Sequence, residues 1–380
     1  MSKIRSYFLV CLAFLFIPGL SSAQQMPTPP ALAAKSWLLV EFASGQDLAS
    51  QAADERLEPA SLTKLMTAYL TFAALKQGVI KLDQTVPVSE KAWRTSGSRM
   101  FIRVGTQVKV EDLIKGMIVQ SGNDACVALA EVIAGSEDNF AQMMNREAQR
   151  LGMKTTQYRN ATGMPDEQHY TTARDLATLT TALIRDFPED YAKYYSIKEF
   201  RYNNITQPNR NRLLWLDPTV DGVKTGHTDG AGYCLISSAK RGPRRLLAIV
   251  LGTASDGMRA QESLKLLNYG FQFYDAVKLY DANQPVSSLK VWKGSDSTVK
   301  AGFLNDFVLA VPKGFASRMS VELVSQQPLL APVTKGQVVA TMKVSLDGKP
   351  YGEYPAVAVE TVSVAGPIGR LIDSIRLWFK

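Results

Sequence analysis

The sequence predicts an α+β domain followed by a small all-β domain. Strand-like runs near the start (36–42) and again at 220–251 bracket a long stretch of helical periodicity, a layout in which the outer strands share one antiparallel sheet. Beyond residue 284 the pattern changes to short β-branched runs cut by Gly, Pro and Asp. With 380 residues, 46% of them hydrophobic, the chain can fill two cores.

Residues 1–23 read as a secretory signal peptide. Lys3 and Arg5 precede the apolar run Tyr7 to Ile17, and Ser21-Ser22-Ala23 stands before Gln24. The run is shorter than the roughly 20 residues a spanning helix needs. Cleavage there lowers the formal charge of +8 by two, to +6, a mild excess suited to anionic membrane or cell-wall polymer. Nucleic acid is not expected as a partner, because no basic run interleaved with aromatics occurs. Cleavage also removes Cys11, leaving Cys126 and Cys234: too few for a disulfide scaffold, with a single bridge left open.

Residues 24–34 form a proline- and alanine-rich arm, and 35–281 the first domain. It opens with a strand over Ser36–Phe42, a Ser44-Gly45-Gln46 turn and a second short strand. Pro59 then introduces an apolar helix headed by Ser61-Leu62-Thr63-Lys64. Residues three apart share a helix face, so Ser61 and Lys64 lie within reach of each other. At a helix start the unpaired N–H groups favour developing negative charge, which makes Ser61 a candidate nucleophile with Lys64 as its base. Ser-x-x-Lys alone says little, since it recurs at Ser237, Ser287 and Ser297 in strand or loop contexts.

Helix and loop are expected from about Leu75 to Arg185. Within this region Ser121-Gly122-Asn123, the sole Ser-x-Asn, sits in a loop before a helix and can point side chains into a cleft. Strands resume at Val220–Thr225, Gly232–Ser238 and Arg245–Leu251, the last two joined by a Gly242-Pro243 turn. Lys224-Thr225-Gly226 lies on the first of these, where Gly226 would let a substrate lie close against the backbone. A helix is expected from about Arg259 to Ala276. Cys126, near Ser121 but without a His or Asn partner in motif context, reads as a buried free thiol rather than a nucleophile.

Residues 284–365 form the all-β domain, with strands expected at Val308–Val311, Met319–Val324, Gln337–Val344 and Ala356–Val364. No catalytic-looking cluster stands out there, so a positioning role or a protein partner is expected. In 366–380, Ile368, Leu371, Ile372, Ile375, Trp378 and Phe379 share one side of a helix, with Arg370, Asp373, Arg376 and Lys380 opposite. That pattern fits a helix lying in a membrane surface; docking on the protein itself is the alternative.

The three motifs in this order, with Ser98-Arg99-Met100-Phe101, Gln207-Pro208-Asn209-Arg210-Asn211 and Asp221 to Thr228, resemble the low-molecular-mass penicillin-binding proteins that act as serine D-alanyl-D-alanine carboxypeptidases. The resemblance spans essentially the whole chain and implies a β-lactamase/transpeptidase-like catalytic domain. It implies removal of the terminal D-alanine from peptidoglycan pentapeptides through an acyl-enzyme on Ser61, and covalent inhibition by β-lactams. Lys64 would act as the neutral base, its pKa depressed by burial and by a second cation such as Lys224. Ser121 would relay a proton to the departing D-alanine with help from Lys224, and Asn123 would hold the substrate backbone.

The backbone N–H groups of Ser61 and His227 would form the oxyanion hole. Thr225, Arg210 and Arg259 are candidates for the substrate carboxylate, since a guanidinium binds carboxylate in a fork. Neither histidine has metal-ligand spacing, and no cofactor is expected. A serine β-lactamase, a D,D-endopeptidase and a silent cell-wall scaffold are the alternatives. The first needs a deacylating glutamate in a Glu-x-x-Leu-Asn-like context between the second and third motifs, and none occurs there; 161–176 instead resembles the carboxypeptidases. The expected location is the periplasmic face of the inner membrane, with 366–380 as a peripheral anchor.

Overall fold

The computed structural model describes residues 28–379; the expected signal peptide and the first residues of the arm lie outside them. The first unit is built on a five-stranded antiparallel sheet in the order β2-β1-β9-β8-β7. Its strands are β1 (Ser36–Glu41), β2 (Asp47–Gln51), β7 (Val220–Thr228), β8 (Gly232–Arg241) and β9 (Arg244–Thr253). Alternation along the strands supplies two cores. Leu38, Val40, Leu247 and Ile249 face one, while Trp37, Leu39, Leu246 and Ala248 face the other. The second core is closed by α9 (Asp256–Phe273) through Leu266 and Leu267.

The first core is closed by the helical region. It holds α1 (Lys64–Lys76), α2 (Glu90–Arg94), α3 (Val110–Ile118), α4 (Asn123–Ala134), α5 (Glu137–Leu151), α6 (Ala173–Asp186) and α7 (Pro188–Tyr194). Every residue of α1 from Lys64 to Phe72 is buried, so this helix is enclosed on all sides rather than amphipathic. Two small antiparallel strand pairs that sequence periodicity did not reveal complete the region. They are β3 (Thr85–Pro87) with β4 (Gln107–Lys109), and β5 (Glu199–Tyr202) with β6 (Ile205–Pro208). A short α8 (Leu213–Leu216) leads into β7.

The expected helix over Arg259–Ala276 ends earlier. Tyr274–Tyr280 is a strand, β10, antiparallel to β13 (Phe307–Pro312). Its Val277, Leu279 and Tyr280 pack on the C-terminal core, so a stretch assigned to the first unit (35–281) belongs with the second. Short apolar runs read equally well as helix or strand, and the partner strand decides. The C-terminal unit is a six-stranded sheet in the order β14-β16-β17-β12-β11-β15. It comprises β11 (Pro285–Trp292), β12 (Thr298–Gly302), β14 (Met319–Ser325), β15 (Leu329–Leu330), β16 (Val338–Leu346) and β17 (Lys349–Ala358). The strand expected at Ala356–Val364 is displaced: β17 ends at Ala358, and Val362 and Val364 make only isolated bridges to Val333 and Gly294.

The two units meet through Gln46. Its Nε2 donates to Tyr354 Oη at 3.3 Å, and its Oε1 accepts from the Ala310 N–H at 2.7 Å. Beyond the β sheet, α10 (Pro367–Trp378) has no buried residue, and Trp378 and Phe379 are 86% and 82% exposed. Among the described residues, the Lys293 N–H ties it to the sheet by donating to Asp373 at 2.7 Å. Among the described residues, no helix is long and apolar enough to cross a membrane.

Candidate active site

Ser61 lies in a 3-10 turn, Ala60–Thr63, that runs directly into α1, and Lys64 is the first residue of that helix. The spacing brings Lys64 Nζ to 2.9 Å from Ser61 Oγ, while Nζ also donates to the Thr162 carbonyl at 2.6 Å. Lys64 is 2% exposed, and burial lowers its pKa to about 8. Arg210 lowers it further, whereas Cys126 and Asp124 act in the opposite direction. Arg210 is one second cation acting on Lys64, and Lys64 and Lys224 bear on each other as like charges. Lys224 is itself held well below the ordinary lysine value, first by burial and then by Lys64 and Arg210.

The loop that supplies the Thr162 carbonyl escaped the sequence reading as a part of the site. Asn160 organises it, its Oδ1 accepting the N–H groups of Thr162, Gly163 and Met164 at 3.1, 2.8 and 3.2 Å. Gly163 has φ +85°, and a Cβ there would stand 1.7 Å from the Ala60 carbonyl oxygen, so the loop lies directly on the Ser61 turn. Thr67 Oγ1 donates to the Ala161 carbonyl at 2.7 Å, fastening the loop to α1. Thr63 Oγ1 meets His169 Nε2 at 2.9 Å, and burial lowers His169 to about 4, which keeps that ring neutral. An Asn-Ala-Thr-Gly run is a turn signal, but nothing local tells which helix it will touch.

Ser121 and Asn123 flank the N-terminus of α4. The Ser121 Oγ is buried and makes no hydrogen bond among the described residues, and Ser121 has φ +64°. Asn123 Nδ2 donates to the Ser96 carbonyl at 2.7 Å, leaving its buried Oδ1 unpartnered. Asp124, which the sequence reading passed over, sets this corner. Its carboxylate accepts the backbone N–H groups of Met100, Phe101, Ile102 and Ala125 at 2.9–3.2 Å, tying the Ser98-Arg99-Met100-Phe101 segment to α4.

The third wall is β7. A Cβ on Gly226 would lie 3.1–3.3 Å from Pro59, Leu62 and Ala60. The glycine thus admits the Ser61 turn against the strand, and it also lines the cavity. Lys224 Nζ donates to the Thr225 carbonyl at 3.0 Å. The His227 ring lies over Tyr233, with centroids 4.0 Å apart. Arg259 is not a surface cap: it is 5% exposed, donates to the Gly226 carbonyl at 3.2 Å and pairs with Asp256. Arg210 makes no ion pair among the described residues. Its neighbours hold it in place, since Asn209 donates to the Ile197 carbonyl and Asn211 to the Gly222 carbonyl, both at 2.9 Å.

These walls enclose a cavity of about 900 Å³ lined by Ser61, Ser121, Arg210, Thr225, Gly226, His227 and Arg259 among others. Lys64, Asn123 and Lys224 stand behind the wall, none more than 4% exposed. A buried amine next to a hydroxyl, with unpartnered polar atoms around it, is an arrangement suited to acyl transfer on serine. Cys126 and Cys234 are free and buried, and burial raises Cys126 to about 12, so it is an inert thiol.

Comparison with known proteins agrees in both units. Residues 23–255 match the family described as D-alanyl-D-alanine carboxypeptidase, and residues 274–364 match the C-terminal domain of penicillin-binding protein 5. The chain is 43% identical to the D-alanyl-D-alanine carboxypeptidase DacC of Escherichia coli K12, across 96% of this chain and 93% of that one. It resembles the solved penicillin binding protein 5 of Haemophilus influenzae with a TM-score of 0.84 and 40% identity, covering 89% of this chain and 99% of that one. Penicillin-binding protein D2 of Listeria monocytogenes, solved in an ampicillin-bound form, matches with a TM-score of 0.59 and 30% identity over 64% of this chain and all of that one. Family match, sequence identity and fold thus converge, and the chain belongs to the D-alanyl-D-alanine carboxypeptidase family of penicillin-binding proteins.

Proposed function

We propose that this chain is a serine carboxypeptidase that removes the terminal D-alanine from peptidoglycan pentapeptides. The observation that carries the reading is Lys64, buried, lowered to about 8 and 2.9 Å from Ser61 Oγ. In its neutral form Lys64 takes the Ser61 proton as the oxygen attacks the carbonyl between the two D-alanines. The backbone N–H groups of Ser61 and His227 receive the oxyanion. Ser121, whose hydroxyl is unpartnered, passes a proton to the leaving D-alanine beside Lys224, and Asn123 Oδ1 accepts from the substrate backbone. Arg210 and Thr225 hold the terminal carboxylate, with Arg259 stiffening the end of β7 through Gly226. Water then hydrolyses the acyl-enzyme.

β-Lactams acylate the same serine, a reading supported by the ampicillin-bound relative. The leader 1–23 exports the chain to the periplasm, and α10 lies in the inner-membrane surface with its exposed apolar side down. The C-terminal sheet positions the catalytic unit or docks a protein partner. Two measurements test the core of this: the mass of the protein after penicillin treatment, and D-alanine release from a pentapeptide. An adduct on Ser61 and release lost in Ser61→Ala are expected; release that survives Ser61→Ala overturns the reading.

A further inference from the structure

The β8–β9 hairpin turns inside a basic run, Lys240-Arg241-Gly242-Pro243-Arg244-Arg245. The register sets Lys240 opposite Arg245 and Arg241 opposite Arg244, two consecutive like-charge pairs, which destabilise a hairpin unless the charge is answered from elsewhere. Arg245 is answered by Asp221 at 2.8 Å, and Arg241 by Asp217 at 3.0 Å. Lys240 and Arg244 make no ion pair among the described residues. Water serves the exposed Lys240. Arg244 is half-buried, its Nε is buried without a partner, and burial pulls its pKa below the ordinary arginine value, with Asp275 and Glu41 opposing that without forming an ion pair.

Arg241 and Arg244 converge on Phe271 near the end of α9, their guanidinium carbons 4.4 and 5.4 Å from the ring centroid. Beside the ring is a cavity of about 450 Å³, lined by these two arginines, Asn268, Phe271 and Gln272, with no carboxylate in its wall. It shares no lining residue with the catalytic cleft. Arg241 is held in place: its Nη2 donates to Asp217 and to Asn268 Oδ1 at 3.0 and 2.8 Å, and its Nε to Thr219 Oγ1 at 3.4 Å. Arg241 Nη1 and the Asn268 NH₂ are left as unused donors. Arg244 gives an Nη2 N–H to the Gly270 carbonyl, a long 3.4 Å contact to an oxygen that already accepts the Tyr274 N–H. The end of α9 thus takes up part of the Arg244 charge. No acceptor among the described residues meets its Nη1.

A wall of donors with no carboxylate selects an anion. Its donors come from two strands and a helix, and a phosphomonoester meets such a spread with three oxygens arranged tetrahedrally, where a carboxylate has two in one plane. We infer that the cavity between the β8–β9 turn and the end of α9 is a phosphate-binding site, which takes a phosphomonoester group on Arg241 and Arg244 with Asn268 and Gln272 at its rim. Two sources supply that group: a soluble phosphomonoester, and a lipid whose headgroup is one. Bound phosphate answers the like-charge pair that the chain itself leaves half neutralised.

The test follows thermal unfolding of the full chain in chloride, acetate and inorganic phosphate at equal ionic strength, with Arg244→Gln and Gln272→Glu alongside. Phosphate is expected to raise the wild-type Tm by about 2 °C over chloride, acetate by less than half as much, and neither variant should show the phosphate rise. Gln272 is exposed, so Gln272→Glu keeps the fold and sets a negative charge at the rim even if Arg244→Gln does not fold. Sedimentation with phosphatidic acid vesicles, against phosphatidylcholine, then separates the sources, since α10 is common to all three proteins. Binding of both variants weakened by about fivefold names a lipid headgroup. Equal vesicle binding, with the phosphate rise present only in the wild type, names a soluble phosphomonoester. If Arg244→Gln lowers Tm by the same amount in every buffer, Arg244 only caps α9 and the inference is overturned. A rise in acetate equal to that in phosphate overturns it too. Release of D-alanine from a soluble pentapeptide is expected to be unchanged in both variants, so this site and the carboxypeptidase reading fail separately.

Discussion

Lys64 Nζ stands 2.9 Å from Ser61 Oγ and 2.6 Å from the Thr162 carbonyl, a residue 98 positions along the chain. As an ammonium it donates to both; once neutral it keeps an N–H for the carbonyl and offers a lone pair to the hydroxyl proton. With Lys64 at about 8, the rate of acylation by a fluorescent penicillin should climb towards tenfold per pH unit below that value and level off above it. A profile flat from pH 6 to 10 would remove Lys64 from the role of base.

The same shift has a consequence for stability. The native chain releases the Lys64 proton near pH 8, whereas the unfolded chain keeps it to about 10.5, so between these values the unfolded state binds more protons. The Lys64 contribution therefore becomes more favourable as pH rises through that window. Urea unfolding at pH 8 and pH 10 should show this gain in the wild-type protein and its loss in Lys64→Met, after subtracting what the two proteins share.

Gly163→Ala should be damaging well beyond an ordinary surface change. The new Cβ meets the Ala60 oxygen at 1.7 Å in a left-handed conformation, so the loop must lift from the Ser61 turn and take the Thr162 carbonyl with it. A loss of about 2 kcal/mol or more and slower penicillin acylation are expected. Wild-type acylation in a folded Gly163→Ala protein would show that the Thr162 contact does not position Lys64.

Asp124→Asn tests the corner that holds Ser121 and Asn123. The carboxylate accepts four backbone N–H groups, and an amide offers one oxygen in place of two while turning an NH₂ toward donors. A loss of about 1–3 kcal/mol is expected by chemical denaturation, with acylation reduced as the Met100–Ile102 segment loosens. Stability equal to wild type would show that the clamp carries no load.

Arg210→Ala should lower kcat/KM for a D-Ala-D-Ala peptide by about tenfold to a hundredfold, the range of a charge-assisted bond. Because Arg210 also lowers Lys64, the acylation profile in this variant should shift to higher pH. An unchanged profile with reduced kcat/KM would confine Arg210 to carboxylate binding.

Much of the site was legible where geometry is local. Ser61 and Lys64 meet because one helical turn brings residues three apart together, and β8 and β9 pair because Gly242-Pro243 turns the chain between them. Ser121, Thr225, His227 and Arg210 were found through motif context, and all of them line the cavity. The Asp124 clamp and the Asn160 loop were not found, because each acts on residues distant in sequence.

What the amino-acid sequence determined by itself is therefore the chemistry available: a serine with an amine one turn away, a second serine and lysine, and arginines for an anion. Backbone periodicity and turn preference suffice for that, since they operate over a few residues. Tertiary structure alone decided the state of those groups. It buried Lys64 against a carbonyl from a remote loop, brought Arg210 and Lys224 near enough to bear on it, and turned Gly226 toward the Ser61 turn. Desolvation and charge repulsion depend on what surrounds a group in space, and that is settled only when the sheet and the helical region close on each other.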